Sequence, residues 1–241
     1  MSRVWLPLVL ALFVGCGDGD KVASPIEKEN SGSTVPVEAN WDAQIAAVRA
    51  GESDKIRIGS RMAEGVEWSD LAAGCDQLRS LWVEEAKPRD ADLDLLASLE
   101  NLEALALTAS IDDDDLARIA NCRGLKRLNL PHGDIGDEGF AAVTQLAELE
   151  QLRIGSPRLT DEGLASLRAL PNLRFLHLID VPISDAGLSH VAAVATLESF
   201  YLDGGEATPS GLRTFLRKRP DVHFHKDQLH LPGDPNAHAE E

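Results

Sequence analysis

LEQLRIGSPRLTDEGLASLRALPN, residues 149–172, carries two different spacings in one stretch. Leu152 and Ile154 alternate with Gln151 and Arg153, the period of a strand with one buried face. Further on, Leu164, Leu167 and Leu170 recur at every third position and line one face of a helix. Ahead of them, Thr160 is a residue type that caps helices, and Asp161 places an acid in the first turn. The stretch predicts strand, turn, helix. Neither half can hide its apolar side alone, so the unit needs neighbours of its own kind.

Such neighbours run through most of the chain. LRSLWV starts at Leu78, LEALAL at Leu102, LKRLNL at Leu125, LEQLRI at Leu149, LRFLHL at Leu173 and LESFYL at Leu197, at intervals of 24, 23, 24, 24 and 24 residues. A second signature follows each strand: IGDEGFA from Ile135, LTDEGLA from Leu159, ISDAGLS from Ile183 and ATPSGLR from Ala207. Weaker copies flank the series, with Ile56 and Ile58 in DKIRIGS and Val222 and Phe224 in DVHFH. The pattern resembles the leucine-rich repeat family, in units of the form LxxLxLxxTxITDEGLAxLxxLPN, over residues 53 to about 226. The resemblance implies an α/β leucine-rich repeat solenoid, a horseshoe with parallel strands on the concave face and helices on the convex face. At the ninth position, where many members carry Asn or Cys, stand Ser110, Gly133, Pro157, Val181 and Gly205. No asparagine ladder can therefore satisfy the backbone after each strand.

The register also explains two acidic runs. In IDDDDLA, residues 111–117, Asp112 falls with Thr160 and Ser184, and Asp113 with Asp161 and Asp185. The four acids read as a helix start, since no glycine turn or distal glutamate of a calcium loop accompanies them. Asp90, Asp92 and Asp94 in RDADLDLL begin like a calcium loop, but Leu95 and Asn101 stand where its Gly and Glu belong, so this too is a helix start. WDAQIAAVRAG, residues 41–51, is a predicted amphipathic helix that ends at Gly51 and covers the first unit.

With 241 residues and 44% hydrophobic content the chain can bury a sizeable core. Its 40 acidic and 23 basic residues give a formal net charge of -17, the wrong sign for phosphate backbones, and nucleic acid is not an expected partner. The leader MSRVWLPLVLALFVGC has one basic residue, Arg3, and an apolar run too short to span a bilayer, as in an export signal. Its end, Phe13-Val14-Gly15-Cys16, resembles the lipobox of bacterial lipoproteins. That resemblance implies cleavage before Cys16, a lipid on its thiol and a place on a membrane of the bacterial cell envelope. The polar stretch after it holds Pro, Gly and Ser and reads as a tether. GDGDK at 17–21 lacks the spacing of a phosphate loop. The expected organisation is a signal at 1–15, lipidated Cys and tether at 16–40, the repeat domain with its capping helix at 41–226 and a loose tail at 227–241.

Cys75 and Cys122 share one column of the core two units apart. At about 4.8 Å per strand they are too far apart for a disulfide and should be buried thiols. His223 and His225 alternate onto one face of the last strand, with His177 on the same face upstream, but two imidazoles without a further ligand make no metal site, and no metal or cofactor is expected. His177, Asp203 and Ser199 can be drawn as a triad, yet Ser199 has no GxSxG turn and no oxyanion hole is evident.

The third and fifth residues of each LxxLxL point away from the buried leucines. The third positions hold Ser80, Ala104, Arg127, Gln151, Phe175 and Ser199, and the fifth hold Trp82, Ala106, Asn129, Arg153, His177 and Tyr201. Three of these twelve are aromatic, against 5% in the chain, and none is acidic. Exposed aromatic and arginine side chains are what binding hot spots favour. Trp82, Arg127, Arg153, Phe175, His177 and Tyr201 are thus the candidate partner-binding residues of a non-enzymatic, membrane-anchored module for a protein or peptide. The competing readings are a hydrolase or metal-dependent enzyme using His177, His223 and His225, and a purely structural envelope spacer.

Overall fold

The computed structural model describes residues 40–60 and 66–230. The export signal, Cys16 and the tether up to residue 39 lie outside the described residues, as does the chain from 231 on. The described residues all fall in one compact unit, Ser33–Ala237.

Each LxxLxL forms a strand at its second half. The strands are β1 (Lys55–Ile58), β2 (Ser80–Val83), β3 (Ala104–Leu107), β4 (Arg127–Leu130), β5 (Gln151–Gly155), β6 (Phe175–Ile179), β7 (Ser199–Asp203) and β8 (His223–Lys226). They pair in parallel in sequence order, and the register follows the repeat position, so that Leu81, Leu105, Leu128, Leu152, Leu176, Phe200 and Phe224 are aligned partners across the sheet. A constant unit length brings each strand back beside its predecessor in the same direction, which is why the sheet is parallel and unbranched. The residue before each strand joins the units again: Glu103 O accepts from Lys126 N at 2.8 Å and Arg127 N at 3.0 Å, and Glu150 O accepts from Arg174 N at 2.9 Å and Phe175 N at 3.0 Å.

The helices are α1 (Trp41–Arg49), α2 (Asp90–Leu96), α3 (Asp113–Ile119), α4 (Asp137–Phe140), α5 (Asp185–Ala192) and α6 (Pro209–Lys218). Helix α1 is capped by the Asn40 side chain, which accepts from Ala43 N, and its chain turns away at Gly51 with φ 73°. It packs on β1 and buries Trp41, Ile45 and Val48 over the first unit. The leucine columns and the apolar helix faces form one continuous buried cluster. Cys75 and Cys122 belong to it as free thiols, and burial raises the pKa of both, that of Cys122 to about 11.

The prediction of a regular helix in every unit needs correction. In the unit from Leu149 the segment Gly163–Ala169 is 3-10, and in the preceding unit α4 passes directly into a 3-10 stretch, Ala141–Gln145. The leucine spacing permits either form. Leu164, Leu167 and Leu170 sit three apart, which suits the 3.0 residues per turn of the tighter helix, while the same spacing at Leu188 and Val191 is carried by the α-helix α5. Asp112 does cap α3, accepting from Asp115 N at 3.0 Å while Asp115 accepts from Asp112 N at 3.1 Å. At α2 only half of such a box forms: Asp92 accepts from Arg89 N at 2.8 Å, and the Arg89 side chain, which can only donate, bonds the same carboxylate at 2.9 and 3.0 Å.

In place of an asparagine ladder, the DEG signature builds an aspartate ladder on the helix side. Asp137 accepts from the backbone N–H and hydroxyl of Thr160 at 2.8 and 2.7 Å, Asp161 from those of Ser184 at 2.8 and 2.5 Å, and Asp185 from those of Thr208 at 2.8 and 2.8 Å. Asp113 begins the series with Gly136 N at 2.7 Å. The glycine of each following signature makes room for the carboxylate, because a Cβ on Gly139, Gly163, Gly187 or Gly211 would overlap the aspartate of the unit before. One acid and one glycine per unit thus lock consecutive units together. Ser156 assists at one turn, exchanging bonds with Ile135 N at 2.9 Å and Ile135 O at 2.7 Å.

The end of the domain also differs from expectation. Residues 227–230 are no loose tail: Asp227 and Gln228 form a turn, and Leu229 pairs back on Lys226.

Candidate binding face

The outward face of the sheet consists of two rows set by the register. The first runs Lys55, Ser80, Ala104, Arg127, Gln151, Phe175, Ser199, His223, and the second Arg57, Trp82, Ala106, Asn129, Arg153, His177, Tyr201, His225. All six candidate residues, Trp82, Arg127, Arg153, Phe175, His177 and Tyr201, lie on this face. Each is half-buried, shielded by its neighbours in the next strands. Arg57 belongs to the same surface, and the flanking copy DKIRIGS already held that position.

The face divides into regions. On β1 and β2 the Arg57 guanidinium lies over the Trp82 ring, 4.3 Å from its centroid. The small residues Ala104 and Ala106 follow on β3, leaving a low strip. From β4 to β7 a polar chain crosses the strands. Arg153 donates through Nη1 to Asn129 Oδ1 at 3.1 Å and through Nε to His177 Nδ1 at 3.3 Å, and His177 Nε2 lies 2.9 Å from Asp203 Oδ2. With Nδ1 accepting from arginine, the imidazole proton sits on Nε2 and is donated to Asp203. Burial draws the Arg153 guanidinium below its ordinary pKa against the attraction of the Asp203 carboxylate, and it remains a cation. Tyr201 continues the row, its ring 5.6 Å from that of His177 and stacked at 4.7 Å on that of His225. Arg174 lies over Phe175 at 5.3 Å while its Nε and Nη2 donate to the two Glu198 carboxylate oxygens at 2.8 Å each.

The twelve outward positions hold no acid, but Asp203, drawn with His177 and Ser199 from the sequence, stands at the seventh position of its unit and extends β7 far enough to enter the second row's network. It pairs with His177 there. His230 is a residue the sequence reading missed: it stands against His225, with ring centroids 4.1 Å apart, because of the turn that replaced the expected tail.

Three polar side-chain atoms of the face are buried without a hydrogen-bond partner among the described residues: Trp82 Nε1, Gln151 Oε1 and Asp203 Oδ1.

A strand per period, in parallel sequence order, with aligned leucines on the inside decides the architecture. The fold is a leucine-rich repeat solenoid. Among solved structures the chain is similar to internalin C2 of Listeria monocytogenes, at 23% identity and a TM-score of 0.43 over 58% of this chain and 55% of that one. It is also similar to an internalin, inlF, of the same organism, at 18% identity and a TM-score of 0.49 over 68% of this chain and 52% of that one. The chain spans about half the length of these two proteins. No protein-family model and no curated protein matches it. The assignment of the fold rests on the chain's own period and strand ladder.

Proposed function

We propose that the chain is a non-enzymatic binding module of the bacterial cell envelope, held to a membrane by a lipid on Cys16, that takes an extended segment of a protein or peptide across its outward, concave sheet face. The observation that carries this reading is the set of half-buried aromatic and arginine side chains, Trp82, Arg127, Arg153, Phe175 and Tyr201, that the strand register brings onto one face. Trp82 on β2 and Tyr201 on β7 are five strands apart, which is roughly 24 Å at about 4.8 Å per strand. An extended segment of about seven residues, at about 3.3 Å each, spans that length. The strongly acidic chain favours a partner with basic or neutral side chains over a nucleic acid. A hydrolase reading gains no support from His177, because both its ring nitrogens are engaged by Arg153 and Asp203 and neither is directed to a nucleophile.

The test uses the full chain as bait in crosslinked envelope extracts, with Trp82→Ala and Asp203→Ala beside it. A partner held by the parent and lost by both variants supports the face. A partner that both retain, and that Glu162→Ala on the helix side loses, refutes it. The anchor is tested separately: Cys16→Ser should leave the protein unprocessed or release it to the soluble fraction, and unchanged membrane association would sink that part.

A further inference from the structure

β8 ends in a turn that its residues do not favour. Asp227 and Gln228 have φ of 50° and 66°, the pair of positive values that a two-residue hairpin turn demands and that Asn-Gly normally supplies. The turn is held on both sides. Lys226 N donates to Leu229 O at 2.9 Å, Leu229 N donates to Lys226 O at 3.0 Å, and the Asp227 carboxylate accepts from Gly204 N of the preceding unit at 2.8 Å. Its consequence is the position of His230. The ring lies 4.1 Å from that of His225 and 5.1 Å from that of His223, between centroids, and His223 and His225 are themselves 4.5 Å apart with their Nε2 atoms at 3.1 Å.

We infer that His223, His225 and His230 form a binding site for a single divalent transition-metal ion of the zinc type. One ligand nitrogen from each residue lies within 4.8 Å of the other two. Three nitrogens around a tetrahedral zinc ion, each about 2.0–2.1 Å from it, are about 3.3 Å from one another. The His223–His225 pair already stands near that separation, and rotation of the His230 ring about its side-chain torsions closes the remainder. An all-imidazole set selects zinc, nickel or copper over magnesium and calcium, which take oxygen ligands. Tyr201 stacks on His225 at an angle of 14° and fixes that ring's plane. Three protein ligands leave one coordination position open. The site lies where both rows of the outward face end but does not depend on that face binding a partner.

The experiment is calorimetric titration of the full-length chain, without a polyhistidine tag, with zinc chloride. One ion should bind per chain, magnesium chloride should give no binding, and His225→Gln and His230→Gln should each weaken zinc by at least about tenfold, the loss that changing a mere outer partner of a ligand already produces. His190→Gln, on α5, should bind as the parent does. Absence of saturable zinc binding, or an affinity unchanged in His230→Gln, overturns the proposal. A second measurement needs no variant: zinc should protect His223, His225 and His230 from diethyl pyrocarbonate, read by peptide mass spectrometry. Equal labelling of the three with and without zinc overturns it as well.

Discussion

Replacing Asp161 and Gly187, singly and together, probes the bond between consecutive units. Asp161→Ala removes a carboxylate that accepts from Ser184 N at 2.8 Å and from its hydroxyl at 2.5 Å. Hydrogen bonds to a charged group contribute about 1.5–3 kcal/mol, and partial exposure of both residues lowers the sum, so a loss of about 2 kcal/mol is expected. Gly187→Ala puts a methyl group onto the Asp161 carboxylate and within 2.9 Å of Ile183 Cβ. Overpacking of that kind costs about 1–3 kcal/mol, less about 1 kcal/mol regained from replacing glycine inside α5. In the double variant the methyl no longer meets a carboxylate. The combined loss should fall short of the sum of the two single losses by about 1 kcal/mol or more. Equilibrium urea unfolding followed by circular dichroism measures all four corners of the cycle. Additivity within about 0.5 kcal/mol would show that the carboxylate and the glycine do not sense each other, and the ladder argument would be wrong.

Three further outcomes are expected. The Asp112 carboxyl is held below its ordinary pKa chiefly by the Asp115 backbone N–H, and that of Asp92 by the Arg89 side chain. A depressed folded pKa contributes stability that is complete above the unfolded value of about 3.9 and is lost as pH falls through the folded one, so melting temperature should decline only below about pH 4, and Asp92→Asn should flatten part of that decline. Melting temperatures that stay constant from pH 4 downward would contradict both assignments. Cys75 and Cys122 should resist a thiol reagent in the native chain and react on denaturation, because burial raises both pKa values; rapid native labelling of either would place it outside the core. Calcium should not raise the melting temperature, since Asp112, Asp113 and Asp115 are engaged by Lys87, Arg158 and backbone N–H groups; Asp113→Ala, which loses Gly136 N and Arg158, should still cost about 1–2 kcal/mol, and calcium-dependent stabilisation that this variant abolishes would show a site after all.

Periodicity explains why so much of the architecture was legible. A 24-residue spacing of LxxLxL allows few arrangements other than stacked strands, and alternation alone fixed which side chains of Leu78 to Leu202 turn inward. The same alternation put Trp82, Arg127, Arg153, Phe175, His177 and Tyr201 on one face before any contact was known. The helix side was read less well. Leucines every third residue suit an α-helix face and a 3-10 turn alike over two turns, and the choice at Gly163–Ala169 falls to packing against the neighbouring unit.

From the sequence by itself came the period, the parallel sheet, the buried thiols and the set of outward residues, because each depends only on the position of a residue within its own unit. Contacts between units were decided by the tertiary structure alone. The DEG signature displays an acid and a glycine in the copies from Ile135, Leu159 and Ile183, but that the acid of one unit meets the glycine of the next depends on how far stacked units are displaced and rotated. The Asn129–Arg153–His177–Asp203 chain depends on side-chain torsions across four strands. His230 reaches His223 and His225 only through two positive φ angles at Asp227 and Gln228, residues whose types give no sign of that turn.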